Sequence, residues 1–169
     1  MELVVAVNKN GIIGAKNRML WMIKEDLKHF RNLTYNEIIV MGRNTYESLP
    51  SGPLEGRVNI IITSDMEKYS ELELNSNVIF CSIGDSREIM YKKQKETNKK
   101  IFIIGGSQIY KEFYKECKRY HITRVETDEN AGVSIKEIIE DIEKNKKRVL
   151  LREKENKEVK IDYRFEEYE

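Results

Sequence analysis

Asp26 lies in the stretch MIKEDLKHFRNL, where the apolar residues Ile23, Leu27, Phe30 and Leu33 recur at three- and four-residue spacing. That period predicts a helix over roughly 24–33 with one apolar face, and Asp26 falls on it. Glu25, with Lys28, His29 and Asn32, is expected on the opposite, solvated side. A carboxylate among apolar groups costs on the order of several kcal/mol unless something hydrogen-bonds it, and it reads a cationic or amidine-like ligand well. The competing reading is a first-turn acid that favours the helix dipole or caps a backbone N–H. The helix alone leaves both open.

Three strand ends carry a second kind of chemistry. In EIIVMGRNTYESL, Gly42 ends a strand, Arg43 supplies a fork of donors, and Asn44 and Thr45 are candidates to cap the next helix. In KIFIIGGSQIYKEF, Gly105 and Gly106 let backbone approach a ligand, and the helix that follows offers free N–H groups to an anion. Such a doublet equally serves a tight turn. After VNIIIT, Thr63 and Ser64 add hydroxyls. Together these loops point to a dinucleotide, and Arg43 with the hydroxyls suits a 2′-phosphate. They do not form the G-x-G-x-x-G fingerprint, and no acid follows the first strand at the expected distance, which disfavours a standard Rossmann domain.

The elements that must position these residues alternate along the chain. ELVVAV, EIIVM, VNIIIT, VIFC and KIFIIGG are apolar runs without alternation, as parallel strands covered on both faces should be. Helices are predicted at roughly 24–33, 44–49, 84–96, 107–115 and 134–144. RYHITRVE, KRVLLREKE and EVKIDYRFEEY then alternate apolar with polar, the last two joined by the turn-like ENKE. The expected fold is α/β: one domain over residues 1–169, with a central mixed, mostly parallel sheet flanked by helices and a C-terminal antiparallel hairpin.

At 169 residues the chain suits a single core. Thirty basic against twenty-nine acidic residues, interspersed through the Lys- and Glu-dense stretch 136–160, argue against a nucleic-acid or membrane surface. Cys81 and Cys117 lack CxxC company and His29 and His121 are isolated, so no metal is expected and a reducing compartment fits. No apolar run has the length of a membrane span, and Met1 leads straight into a strand pattern, so the expected location is the cytoplasm.

In their order, LVVAVNKNGIIG, NRMLWMIKEDLKHF, IIVMGRNTYESL, GPLEGRVNIIITS, IFIIGGSQIY and HITRVE resemble the dihydrofolate reductase family over roughly residues 3–126. The combination of W-x-x-x-x-D-L-x-x-F, MGR-x-T and IIGG is highly specific. The resemblance implies hydride transfer from NADPH to C6 of dihydrofolate with protonation at N5. It makes Asp26 the pterin-binding carboxylate, accepting from the 2-amino group and ring N3, with Trp21 and Thr123 bracing it and an ordered water. It implies a pteridine and benzoyl pocket of Val4, Val5, Ala6, Leu27, Phe30, Leu49, Leu54, Ile104 and Tyr110, and Arg57 as a bidentate partner of the glutamate α-carboxylate. NADPH would be embraced by Ala6, Ile13, Gly14, Gly42, Arg43, Asn44, Thr45, Ile62, Thr63, Ser64, Gly105, Gly106, Ser107, Gln108 and Ile109, with a cis peptide joining the glycine pair. Residues from about Asn8 to Met22 would form a lid over the nicotinamide, with Met19 near the reacting centre. A monomer is the family default.

The chain departs from the family pattern in several places. Leu20 and Lys24 replace prolines, Gln108 stands where some members carry an arginine for the 2′-phosphate, and Ser107 replaces a glycine. AGVSIKEI replaces the G-D-T-x-F-P element, so the acid that can latch a closed loop is absent at Val133. Two rivals stand beside the main reading. One is a riboflavin-pathway NADPH reductase on a related scaffold, against which Asp26 and Arg57 argue. The other is a nucleotide- or pterin-binding homologue without turnover, against which the joint presence of Asp26, Trp21 and Thr123 argues.

Overall fold

Residues of the five apolar runs line up as neighbouring strands because each is buried on both sides, a condition met only in the interior of a covered sheet. The computed structural model of the protein describes residues 1–15, 18–69, 77–156 and 161–169, with the backbone alone for 153–156. Its strands are β1 (Glu2–Asn8), β2 (Ile12–Gly14), β3 (Ile38–Gly42), β4 (Val58–Ile62), β5 (Val78–Cys81), β6 (Ile101–Gly105), β7 (Arg119–Val125), β8 (Val133–Ser134), β9 (Arg148–Asn156) and β10 (Ile161–Tyr168). Its helices are α1 (Lys24–Thr34), α2 (Arg43–Glu47), α3 (Ile83–Thr97), α4 (Ser107–Phe113) and α5 (Lys136–Asn145), within a few residues of the predicted spans. One sheet runs in the order β5-β4-β3-β6-β1-β7-β10-β9, parallel until β10 and β9 join antiparallel. The mixed, mostly parallel sheet with its antiparallel finish is therefore as expected. The ENKE turn lies partly outside the described residues.

The sheet separates two apolar layers. On one face Val4, Ile39, Met41, Ile61, Phe80 and Phe102 meet Phe30 and Leu33 of α1 and Tyr46 of α2. On the other face Val5, Val7, Val40, Ile60 and Ile103 meet Met90 of α3, Ile109, Tyr110 and Phe113 of α4, and Ile138, Ile139 and Ile142 of α5. β1 and β6 are neighbours, yet the helix after β1 covers the first face and the helix after β6 covers the second. Their strand ends diverge, which opens a crevice at the carboxyl edge where open α/β sheets bind ligands.

Two features depart from the expected pattern. A small second sheet pairs β2 with β8, tying the segment after β1 to the segment before α5. Glu25 is exposed as expected, but His29 is only partly so, and both meet β10. Glu25 accepts from the Tyr163 hydroxyl and His29 lies on the Phe165 ring with centroids 4.4 Å apart, because α1 crosses β10 as well as the parallel strands. Burial lowers the His29 pKa from its ordinary value, as it disfavours the charged ring.

Candidate active site

α1 starts without a side-chain cap and carries Asp26 in its first turn. The carboxylate does not cap backbone: its Oδ1 accepts from Thr123 Oγ1 at 2.6 Å. Thr123 is opposite Ala6 in the β1–β7 register, so its side chain shares the face that α1 covers. Burial raises the Asp26 pKa above the ordinary aspartate value, and the Thr123 hydrogen bond opposes that shift only in part. The ligand-facing reading is the one the geometry supports. Trp21 is buried just before the helix, in a cluster with Ile23, Val125, Tyr163 and Phe165.

The same helix organises a cation at its other end. Thr34 Oγ1 donates to the Phe30 carbonyl at 2.8 Å and accepts from Arg57 Nε at 2.9 Å. Arg57 Nη1 donates to the Glu55 carbonyl at 2.9 Å, and the guanidinium lies 5.8 Å from the centroid of the Phe30 ring. These bonds leave Nη2 and one Nη1 hydrogen for a carboxylate. Asp26 and Thr34 are eight residues apart, about 12 Å along a helix axis. An acid and a cation thus bracket an apolar wall of Leu27, Phe30, Val4, Ala6, Leu49, Leu54 and Ile104. Leu27 is 38% exposed and Met19 55%, so large apolar groups face open space beside Asp26 and in the segment leading to α1.

The glycine loops meet at the crevice. Gly105 and Gly106 are joined by a cis peptide bond. A Cβ on Gly106 would come 3.3 Å from Thr45 Oγ1, and one on Gly42 would come 3.1 Å from Ile109 Cγ1 and 3.9 Å from the Gly106 nitrogen. The turns after β3 and β6 therefore sit side by side, with little room for a further side chain at either glycine. Arg43 and Asn44 lie in the first turn of α2, Ser107 opens α4, and Ser64 is exposed beyond β4. Bare backbone, a guanidinium and hydroxyls at adjacent strand ends fit a dinucleotide carrying phosphates.

The expected helix cap is corrected, and several other expected site residues have side chains off the face that α1 covers. Asn44 and Thr45 cap nothing, since Gly42 occupies the N-cap position of α2 without a side-chain bond. Val5, Ile62, Ile109 and Tyr110 are packed in the layer beneath the sheet, with Ile13 against it, so the face that α1 covers is closed to their side chains. Tyr110 reaches upward only through its hydroxyl, which donates to the Val4 carbonyl at 2.7 Å. Thr63 is buried and its Oγ1 accepts from the Asp65 N–H at 3.0 Å. Gly14 belongs to β2, whose partner β8 includes Val133: backbone pairing ties this segment where the sequence lacks the latching acid. The sequence reading missed Asp65 and Gly132. A charged residue directly after Thr63–Ser64 and a glycine directly before Val133 were the available signals.

A surface hollow lined by Met1, Glu2, Gln94, Lys100 and Arg119 lies at the opposite, amino edge of the parallel strands and includes none of these residues. The carboxyl-edge constellation has counterparts elsewhere. The family model for dihydrofolate reductase matches residues 1–169. A dihydrofolate reductase from Buchnera aphidicola is 36% identical over 128 residues, covering 76% of this chain and 73% of that protein. A bifunctional dihydrofolate reductase-thymidylate synthase from Paramecium tetraurelia is 33% identical over 148 residues, and the match spans 30% of its length. Among solved structures, dihydrofolate reductase from Enterococcus faecalis complexed with NADP(H) and RAB-propyl superimposes with a TM-score of 0.77 at 22% identity, covering 99% of this chain and 94% of that one. With the motif order, the acid on α1 and the whole-chain match in agreement, the chain belongs to the dihydrofolate reductase family.

Proposed function

We propose that this chain reduces 7,8-dihydrofolate to 5,6,7,8-tetrahydrofolate with NADPH, hydride arriving at C6 and a proton at N5, in support of one-carbon and thymidylate metabolism. NADPH supplies the hydride when bound. The observation that carries the reading is Asp26: one half-buried carboxylate of raised proton affinity, braced by Thr123, on the helix that also anchors Arg57. Such an acid orients the 2-amino and N3 edge of a pterin and favours the protonated ring. Trp21 excludes water behind it, and Leu27, Phe30, Leu49, Leu54 and Ile104 supply apolar walls for the ring and benzoyl group. Arg57, held by a hydroxyl and a carbonyl, suits a ligand that brings its own carboxylate. A riboflavin-pathway substrate has no glutamate tail to use it. Gly42, Arg43, Ser64, Gly105, Gly106 and Ser107 form the cofactor side. We read the protein as a cytoplasmic monomer acting on small molecules, with neither nucleic acid nor membrane as partner.

The test is loss of reduced-nicotinamide absorbance with purified protein, with and without dihydrofolate. Dihydrofolate-dependent oxidation of NADPH is the expected result. Folded protein that binds NADPH yet turns nothing over would return the binding-module reading.

A further inference from the structure

The anion subsite at the ends of β3 and β4 contains an acid. Asp65 Oδ2 stands 3.9 Å from Arg43 Nη1, with both side chains about half exposed. The Asp65 backbone N–H donates to Thr63 Oγ1 at 3.0 Å, and its carboxylate Oδ1 accepts from the Lys68 N–H at 3.4 Å at the start of the 3-10 turn Glu67–Tyr69, which orients the side chain toward Arg43. Lys68 is ion-paired to Glu47, whose carboxylate also feels Arg43. The joined charges Arg43, Asp65, Lys68 and Glu47 therefore cancel, and Gln108 on the neighbouring helix is neutral and exposed. A phosphate dianion is held well where the local charge is positive. Here the guanidinium of Arg43 is shared with a carboxylate.

We propose that Asp65 is the residue that sets phosphate discrimination in this protein: by holding Arg43 and presenting a carboxylate where the 2′-phosphate of NADPH would sit, it reduces the preference for NADPH over NADH. The inference rests on the assignment of Arg43 and Ser64 to that phosphate. It does not depend on the ion pair adding stability, since an exposed pair of this kind adds little. What matters is repulsion between the carboxylate and a dianion within one Debye length.

The experiment measures dissociation constants for NADPH, NADH and adenosine 2′,5′-bisphosphate by calorimetry, with the wild type, Asp65→Asn and Arg43→Gln. Asparagine keeps the Oδ1 acceptor for Lys68, so the turn is retained. Asp65→Asn is expected to tighten NADPH and the bisphosphate about five- to tenfold, with NADH changing by less than about twofold, and the gain is expected to shrink as salt is raised. Arg43→Gln is expected to weaken NADPH and the bisphosphate and to spare NADH. If Arg43→Gln behaves so but Asp65→Asn leaves NADPH binding unchanged or weaker, the role of Asp65 is overturned and the subsite assignment stands. If neither variant alters NADPH binding, both are overturned. Absence of NADPH binding by the wild type would overturn the cofactor assignment as well.

Discussion

The Asp26 carboxylate is buried enough to resist ionisation and bonded enough to stay oriented, and the two effects separate in a single variant. Asp26→Asn is expected to lose about a hundredfold or more in kcat/KM near neutral pH, because an amide neither stabilises a protonated pterin nor carries the proton. Its stability should move the other way. A carboxyl whose folded pKa is raised binds its proton more readily folded than unfolded, so its contribution is lost as pH rises from the ordinary aspartate value through the raised one. Thermal melts of the two proteins should coincide in acid, with the asparagine variant the more stable above that interval. Arg57 is checked by substrate shape. Arg57→Ala is expected to raise KM for dihydrofolate about tenfold or more, the size of a lost charge-assisted pair, while barely affecting a pterin without the glutamate tail. An equal loss on both substrates would return Arg57 to a structural role beside Thr34.

At the scale of elements, the short β2–β8 pair decides how the segment after β1 is held. Gly132 has φ +142, and a Cβ there would lie 2.5 Å from the Gly14 carbonyl oxygen and 2.9 Å from Ile12 Cγ2. Backbone contact this close is available only to glycine. Gly132→Ala is expected to part the two strands and lower kcat roughly tenfold by loosening the cover of the site, with faster amide exchange at Ile12–Gly14 as the structural readout. Unchanged exchange and unchanged kcat together would show that the pair does not govern the segment. α1 acts at the same scale: its first turn carries Asp26, its last holds Arg57 through Thr34, and its outer flank is fixed by Tyr163 and Phe165 of β10. The C-terminal hairpin therefore steadies the acid from behind.

For the whole molecule, the join between parallel and antiparallel strands is a buried ionic cluster. Glu166 of β10 is 2% exposed and accepts from Arg124 of β7 at 3.2 Å, Arg164 at 2.8 Å and Tyr168 at 3.0 Å. Burial pushes its pKa up, yet these donors outweigh burial and hold it below the ordinary glutamate value. A depressed carboxyl contributes stability above the unfolded value and loses it as pH falls through the folded one. Glu166→Gln should cost about 1–2 kcal/mol at neutral pH by removing the buried charge that Arg124 and Arg164 share, each keeping its second carboxylate, Glu143 and Glu126. As pH falls from the ordinary glutamate value through the lowered one the wild type should lose that advantage, and denaturant titrations across acid pH check both statements. Among the described residues no helix is long and apolar enough to cross a membrane.

Much of this architecture was legible in the chain because its signals are local. Apolar runs without alternation marked β1, β3, β4, β5 and β6, a 3.6-residue period marked α1, and that period alone put Asp26 on the covered face. Tertiary structure decided the rest. A strand buried on both sides carries no alternation, so nothing in ELVVAV tells that Val4 faces α1 while Val5 faces α4. Helical periodicity likewise reports burial without naming the neighbour, and the covering of His29 and the partner of Glu25 depended on β10, more than a hundred residues later in the sequence. Arg43 with Asp65, and Gly132 with Gly14, are also long-range meetings. Local pattern determined which residues must be buried or free, and packing of distant elements determined which charges and backbones they met there.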